Sequence, residues 1–470
     1  MVERKTGSVP RVLDGLSEIM VLSNYPDAKN IMLFGFDLEG PLEVEALNSA
    51  LSRVVERFPQ FASSVKQNKV SGKWRLTWSR DPDFKPELRV SQLVESDPSV
   101  PFQRSLLRHL HQSLEKEWDL LRTIPTEFHI VRVAEERHSL LALVHHAAAD
   151  GRTLSSFFKD LLASYHQILT GREPGWAGQA DYPAAAKSQL AERKTGKWRD
   201  ALFLAGHTVA MRASRPSIPQ GTGRQQGPGN HYVKSVLTRE ETARVVANLS
   251  RAKRPFMDVL VGAVGTAVDE WNAALNVPRG VIAIYVTVEM RGRYGDAQAP
   301  SNSSSIVLKF GPDERADPEK FSRRVTEGRE EQFDSLCDAK FVQATYTLSD
   351  VMRRLPLTAR QKIAHSACQM PVIPLLIAPF GVMWPEIKNG RRTGDSYLTR
   401  AGDLDLTEFH AIPYKLGYHC PLILGAYTFR RRLNLQLMSL VSHYTSSETE
   451  RLMDLLVRVM LDRPFGAPTN

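Results

Sequence analysis

Apolar residues recur along this chain with two periods, one close to 3.6 and one of 2. Val44, Leu47, Leu51 and Val54 fall at helical spacing. They predict an amphipathic helix over residues 44–57, closed at Phe58-Pro59 because proline disfavours helix at the residue before it. WRLTW (74–78) alternates and predicts a strand. Leu107, Leu110, Leu114 and Leu121 lie near one face of a helix over residues 106–121. TEFHIVRV (126–133) alternates, a polar turn follows at 134–138, and SLLALVHH (139–146) is a second apolar run, so the pair predicts a hairpin. After Gly151, Leu154, Phe157, Phe158, Leu161, Tyr165, Ile168 and Leu169 form a helical stripe that Gly171 is placed to end.

Residues 187–215 gather Lys and Arg around Trp198, Leu202, Phe203 and Leu204. A solvated helix face explains them, and so does a helix on a membrane surface or a dock for a carrier protein. ASRPSIPQGTGRQQGPGN (213–230) has no apolar period and is the best linker in the chain. It divides an N-terminal lobe (1–212) from a C-terminal lobe (231–470). The second half opens with a strand-like HYVKSVLT, then a helix capped by Thr238 with Glu241 in the capping-box position. Another helix begins at PFMDVL, a strand covers 281–290, LNLQLMSL (433–440) alternates as a strand, and an amphipathic helix closes at 446–461. Both halves mix strands and helices, which predicts an α/β fold. MPVIPLLIAPFGVMWP (370–385) carries four prolines and is too short and too broken for a membrane span, which leaves a buried loop, an edge strand, the lining of an apolar pocket or a contact with a membrane face.

Composition narrows the function classes. The 470 residues are 42% hydrophobic and 24% charged, as in ordinary globular domains. The net charge of +9 favours anionic partners. No zinc-finger spacing, RNP-like signature or dense basic tail points to nucleic acid. Cys337, Cys368 and Cys420 are widely spaced, without CxxC, so no disulfide framework or metal ribbon is expected. The first twenty residues lack the apolar core of a signal peptide, and a cytoplasmic location is the expectation.

The candidate chemistry sits where the hairpin meets the helix, in LVHHAAADGRT (143–153). His followed by Asp four residues on occurs here alone in the chain. By average composition the longer pattern HHxxxDG arises by chance on the order of once in a thousand chains of this length. Neighbouring side chains on a strand point to opposite faces, so one of His145 and His146 faces a cleft while the other packs inward. That argues against a metal site, which needs convergent ligands. A neutral imidazole suits general-base work near pH 7. Asp150 accepts from a nearby donor and holds the turn; paired with an arginine, it braces the site and does no chemistry.

HHAAADG resembles the HHxxxDG signature of the condensation-domain and acyltransferase superfamily. That group includes nonribosomal-peptide condensation domains, wax ester synthases, alcohol acetyltransferases and polyketide-associated acyltransferases. LNSALSRVVERFP (47–59), WDLLRTIP (118–125), MDVL (257–260), Met290-Arg291 and Ser301-Asn302 resemble further family segments, with Met257 in place of Asn and Ser301 in place of Gly. The resemblance implies two chloramphenicol-acetyltransferase-like lobes, each a mixed sheet with helices, and an active-site tunnel between them. It implies that His146 is catalytic, supported by His145, Asp150, Gly151, Arg291 and Asn302, with Arg291 pairing with Asp150 and Arg293 as second candidate. It implies an acyltransferase with acyl-CoA or an acyl-phosphopantetheine carrier protein as donor, an alcohol or amine acceptor, and no bound cofactor. Oxyanion donors stay open among protonated His146, the Gly151 N–H and Asn302. A membrane-surface wax ester or diacylglycerol-type acyltransferase and a non-catalytic carrier-binding module are the alternatives. Nothing in the short ends resembles a carrier motif, so a stand-alone enzyme is expected.

Overall fold

The computed structural model describes residues 11–25, 29–93, 102–177, 197–223, 229–291, 303–368, 373–388, 391–414 and 420–462. Two six-stranded sheets organise them. The first runs Arg400–Ala401, Leu404–Tyr414, Ile31–Glu39, Arg137–His145, Thr126–Ala134, Leu88–Gln92. The second runs Ser303–Phe310, Ile282–Glu289, Leu375–Val382, Leu422–Phe429, Arg432–Leu440, Asn230–Val236. Each sheet mixes parallel with antiparallel pairs and is packed by helices, which makes the expected α/β lobes.

The motif strand Arg137–His145 lies inside the first sheet, hydrogen-bonded on both sides. Its unbroken apolar run follows from that position, because both faces are covered. Leu141 and Leu143 pack with Leu106 and Trp118 on one face. Leu140, Ala142 and Val144 join the main core on the other, together with Phe34 and the helix residues Phe157 and Phe158. Burying one such side chain is worth about 1.5–3 kcal/mol. The motif helix spans Gly151–Thr170, and Gly171 ends it in the left-handed region at φ 69°. The helix Arg239–Ala252 carries the expected capping box, with Thr238 Oγ1 accepting from Glu241 N–H at 3.1 Å and Glu241 Oε2 accepting from Thr238 N–H at 2.8 Å.

Elsewhere the pattern led to different boundaries. The helix expected over 106–121 is two short helices, Phe102–His109 and His111–Glu115. Trp118 and Leu120 reach the core from the turn beyond them, with the Trp118 indole N–H donating to the Ser113 carbonyl at 3.1 Å. Leu121, packed against the core from the same turn, had mimicked a helical period. The hairpin turn is tighter than 134–138, since Ala134 pairs directly with Arg137. The apolar segment within 370–385 is neither loop nor edge: Leu375–Val382 is an inner strand, parallel to both neighbours. Pro379 is tolerated because the ladder is irregular between Pro379 and Gly381.

The interval 231–470 is not confined to one sheet. Residues Leu404–Tyr414 cross over and pair antiparallel with Ile31–Glu39 in the first sheet. Of the expected linker 213–230, residues 213–214 finish the helix Lys197–Ser214, residues 215–223 carry no helix or strand, and Asn230 starts a strand. Residues 224–228 lie outside the described residues. Among the described residues, no helix is long and apolar enough to cross a membrane.

Candidate active site

The motif strand ends at His145, and the next four residues turn into the motif helix. The backbone fixes this turn twice: His145 N–H donates to Pro125 O at 2.8 Å, and His146 N–H donates to Asn30 O at 2.7 Å. His145 is fully buried, and its Nδ1 accepts from the Ala147 N–H at 3.2 Å. Burial, reinforced by neighbouring His146, pushes its pKa down to about 3.

His146 turns the other way and lines a cavity of about 160 Å³. Its Nδ1 is buried without a hydrogen-bond partner among the described residues. Desolvation lowers its pKa from the ordinary histidine value. Its own carbonyl, that of Ala149 and the Asp150 charge oppose the shift without cancelling it. The imidazole is therefore neutral at pH 7 and able to accept a proton.

Asp150 caps the motif helix. Its Oδ1 accepts from Arg152 N–H at 3.1 Å and Thr153 N–H at 2.9 Å, taking up two of the unpaired donors of the first turn. Its Oδ2 faces the second half of the chain and meets Arg291 Nη1 at 2.8 Å. Arg291 also donates to Thr153 Oγ1 at 2.9 Å and to both Glu289 oxygens at 3.1 Å. Arg152 stands 4.0 Å from Glu289 and donates to the Phe380 carbonyl at 2.7 Å. Two carboxylates and two guanidiniums thus balance across the junction of the lobes. Burial raises the Glu289 pKa; the Asp150 charge adds to the rise and Arg291 opposes it. Asp150 and Arg291 form a brace, one end at the start of the motif helix and the other just beyond the strand Ile282–Glu289.

Gly151 has a local reason. A Cβ there would fall 2.2 Å from Cε1 of Phe380, so only glycine lets that ring lie against the start of the helix. Phe380 sits at the irregularity of the inner strand Leu375–Val382, beside Gly381 at φ 73°. The remaining cavity wall is mostly apolar. Met32 and Phe34 of the first sheet, Ala411 and Pro413 of the crossover strand, and Leu376 and Ile423 of the second sheet contribute to it.

The structure thus brings His146, Asp150, Gly151 and Arg291 together and packs His145 beneath them. Asn302 and Arg293 lie outside the described residues. Among the described residues, no group of three or more His, Cys, Asp or Glu is placed to hold a metal. Sequence reasoning missed Glu289, Arg152, Thr153 and Phe380. Glu289 alone had a signal: on a strand it shares a face with a residue two positions on, which is Arg291.

Comparison with known proteins places the fold. Residues 28–201 match the condensation domain family. The first condensation domain of the calcium-dependent antibiotic synthetase superposes with a TM-score of 0.67 at 17% identity, over 98% of this chain and 97% of that one. The chain has the fold of condensation domains. Its condensation-type fold also matches a trichothecene 15-O-acetyltransferase from Fusarium sporotrichioides, with a TM-score of 0.67, 12% identity and coverage of 97% and 94%. By sequence, 208 residues are 25% identical to a probable non-canonical nonribosomal peptide synthetase of Salinispora arenicola, covering 41% of this chain and 2% of that protein. A phthiocerol/phthiodiolone dimycocerosyl transferase of Mycobacterium ulcerans is 22% identical over 287 residues, 60% of this chain and 64% of that protein. The chain therefore spans only a small part of the synthetases it matches, 2% and 6% of the first two.

Proposed function

We propose that this protein transfers an acyl group from a thioester, of coenzyme A or of a carrier protein, to an alcohol or amine acceptor. The observation that carries the reading is the placement of His146: an imidazole of lowered pKa on a residue that lines a cavity walled by both sheets. The acceptor O–H or N–H gives its proton to Nε2 as the heteroatom bonds to the thioester carbonyl carbon. The C–S bond then breaks, and the same proton passes to the departing sulfur. No covalent enzyme intermediate is needed. The oxyanion forms beside the start of the motif helix, where the Gly151 N–H is a donor and the helix end favours negative charge. The apolar wall limits hydrolysis of the thioester by keeping water sparse. Asp150 and Arg291 hold the turn that aims His146 and take no part in proton transfer.

A mixed screen of acyl-CoA and carrier-bound thioesters against alcohols and amines, read by mass spectrometry, tests the reading. A new ester or amide is expected with the intact protein and is expected to be lost in His146→Ala. Undiminished product in that variant would overturn the mechanism.

A further inference from the structure

Two polar atoms of cavity-lining residues have no hydrogen-bond partner among the described residues, the Tyr232 hydroxyl and Gln436 Oε1. Their residues are 5% and 3% exposed. Strand pairing places them together. Tyr232 is opposite Met438, and Gln436 lies two residues from Met438 on the same strand, so Tyr232 and Gln436 are diagonal neighbours on one face.

The orientation of the Gln436 amide is decided by its network. The Tyr427 hydroxyl has one hydrogen, and it donates that hydrogen to the Phe409 carbonyl at 2.5 Å. Toward Gln436 it can only accept, so the nitrogen of Gln436 must be the atom 2.9 Å from it. Oε1 is thereby the unpartnered acceptor of this cavity-lining residue. Burial raises the Tyr232 pKa well above the ordinary tyrosine value, so its hydroxyl stays protonated and is a donor. Gly425 stands opposite Gln436, with Ala378 opposite Gly425. A Cβ at Gly425 would lie 3.7 Å from Oε1, so the glycine keeps a side chain from packing against this acceptor.

One donor and one acceptor on adjacent strands match the C=O and N–H of a secondary amide. We propose that the cavity recognises a substrate through a secondary amide, its carbonyl accepting from Tyr232 Oη and its N–H donating to Gln436 Oε1. The cavity thereby selects an amide-bearing substrate over a plain hydrocarbon or an ester. Supporting Tyr427 accounts for the Gln436 nitrogen but leaves its oxygen unexplained, and it leaves Tyr232 unexplained as well. The proposal rests on the acyl-transfer reading only in taking the occupant to be a substrate.

The test is binding, by calorimetry on the full chain, of N-propylhexanamide and its isostere propyl hexanoate. The ester keeps the carbonyl and lacks the N–H. The wild type is expected to bind the amide at least about 10-fold more tightly. Gln436→Leu is expected to abolish or invert that preference. The isosteric Tyr232→Phe is expected to weaken both probes by roughly 5-fold or more, since both carry a carbonyl. Equal binding by the wild type, a preference that survives Gln436→Leu, or no weakening in Tyr232→Phe would overturn the proposal. Thermal unfolding confirms that the variants fold; should Gln436→Leu not fold, Tyr232→Phe and the wild-type preference still decide. His146→Ala is expected to keep the amide preference while losing transfer, so the two claims fail separately. Transfer assays with the amide placed first in the acyl chain and then in the acceptor identify which substrate carries it.

Discussion

On the wall built by the first sheet, three residues of one turn divide the work: His146 lines the cavity, Asp150 caps the helix, and Gly151 admits the Phe380 ring. On the wall built by the second sheet, the polar groups come from separate strands, Arg432–Leu440 and Asn230–Val236, and small residues such as Ala378 and Gly425 make the room. The first wall is local in sequence and rigid because each member fixes the next. The second is assembled from distant segments and shapes space. Substitutions on the first wall should therefore reduce turnover for every substrate, and those on the second should change which substrates are accepted. Arg291 is the exception that links them, since it belongs to the second half and braces the first wall.

Breaking that link should have the largest effect on stability. Arg291→Ala leaves buried Asp150 and half-buried Glu289 without their shared cation. A loss of about 3–5 kcal/mol in denaturant unfolding is expected, with turnover falling by two orders of magnitude or more. Gly151→Ala comes next. Its methyl group must displace the Phe380 ring, which costs about 1–3 kcal/mol and disturbs the turn that aims His146. Adding Phe380→Ala should recover part of the lost turnover, and an unchanged double variant would remove the ring from the argument. Across the cavity, Gly425→Val should leave turnover of the shortest acyl donors within about 3-fold while abolishing that of bulkier ones, as read from product distributions. The smallest effect belongs to a residue on neither wall. Leu202, 69% exposed on the helix Lys197–Ser214, should tolerate Ser with a stability change within about 0.5 kcal/mol.

Acid sharpens the contrast in a second way. His145 titrates near 3 when folded and near 6.5 when unfolded, so the unfolded chain binds more protons between those values. The stability that neutral His145 permits is present above pH 6.5 and is lost progressively as pH falls toward 3. Replacing His145 with an uncharged residue of similar size, as in His145→Gln, should flatten that part of the stability–pH curve measured by denaturant unfolding.

Legibility in the sequence follows the same division. Features encoded by neighbours were readable: the motif strand and helix, the cap at Thr238 with Glu241, the helix stop at Gly171, and the opposite fates of His145 and His146. Features encoded by strand pairing were not. Nothing local tells Leu404–Tyr414 to join Ile31–Glu39, or places Tyr232 diagonally from Gln436. The 106–121 segment misled because Leu121, packed against the core from the turn beyond the two short helices, prolongs the helical spacing of Leu107, Leu110 and Leu114. Pro379 misled because an irregular ladder accommodates it inside a sheet. The Arg291–Asp150 pair was anticipated only through family resemblance, since no local pattern joins residues 141 apart in the chain.

The central claim is that two adjacent histidines do different jobs, and it is tested most directly by measuring turnover and unfolding free energy side by side in His145→Ala and His146→Ala. His146→Ala is expected to lose at least about 10³-fold in turnover, within the range for a general base, while unfolding free energy stays within about 1 kcal/mol of the wild type. His145→Ala is expected to lose about 2–4 kcal/mol of stability through the space it vacates, with residual turnover tracking the folded fraction. Full turnover in His146→Ala, or equal losses of both quantities in the two variants, would contradict the account.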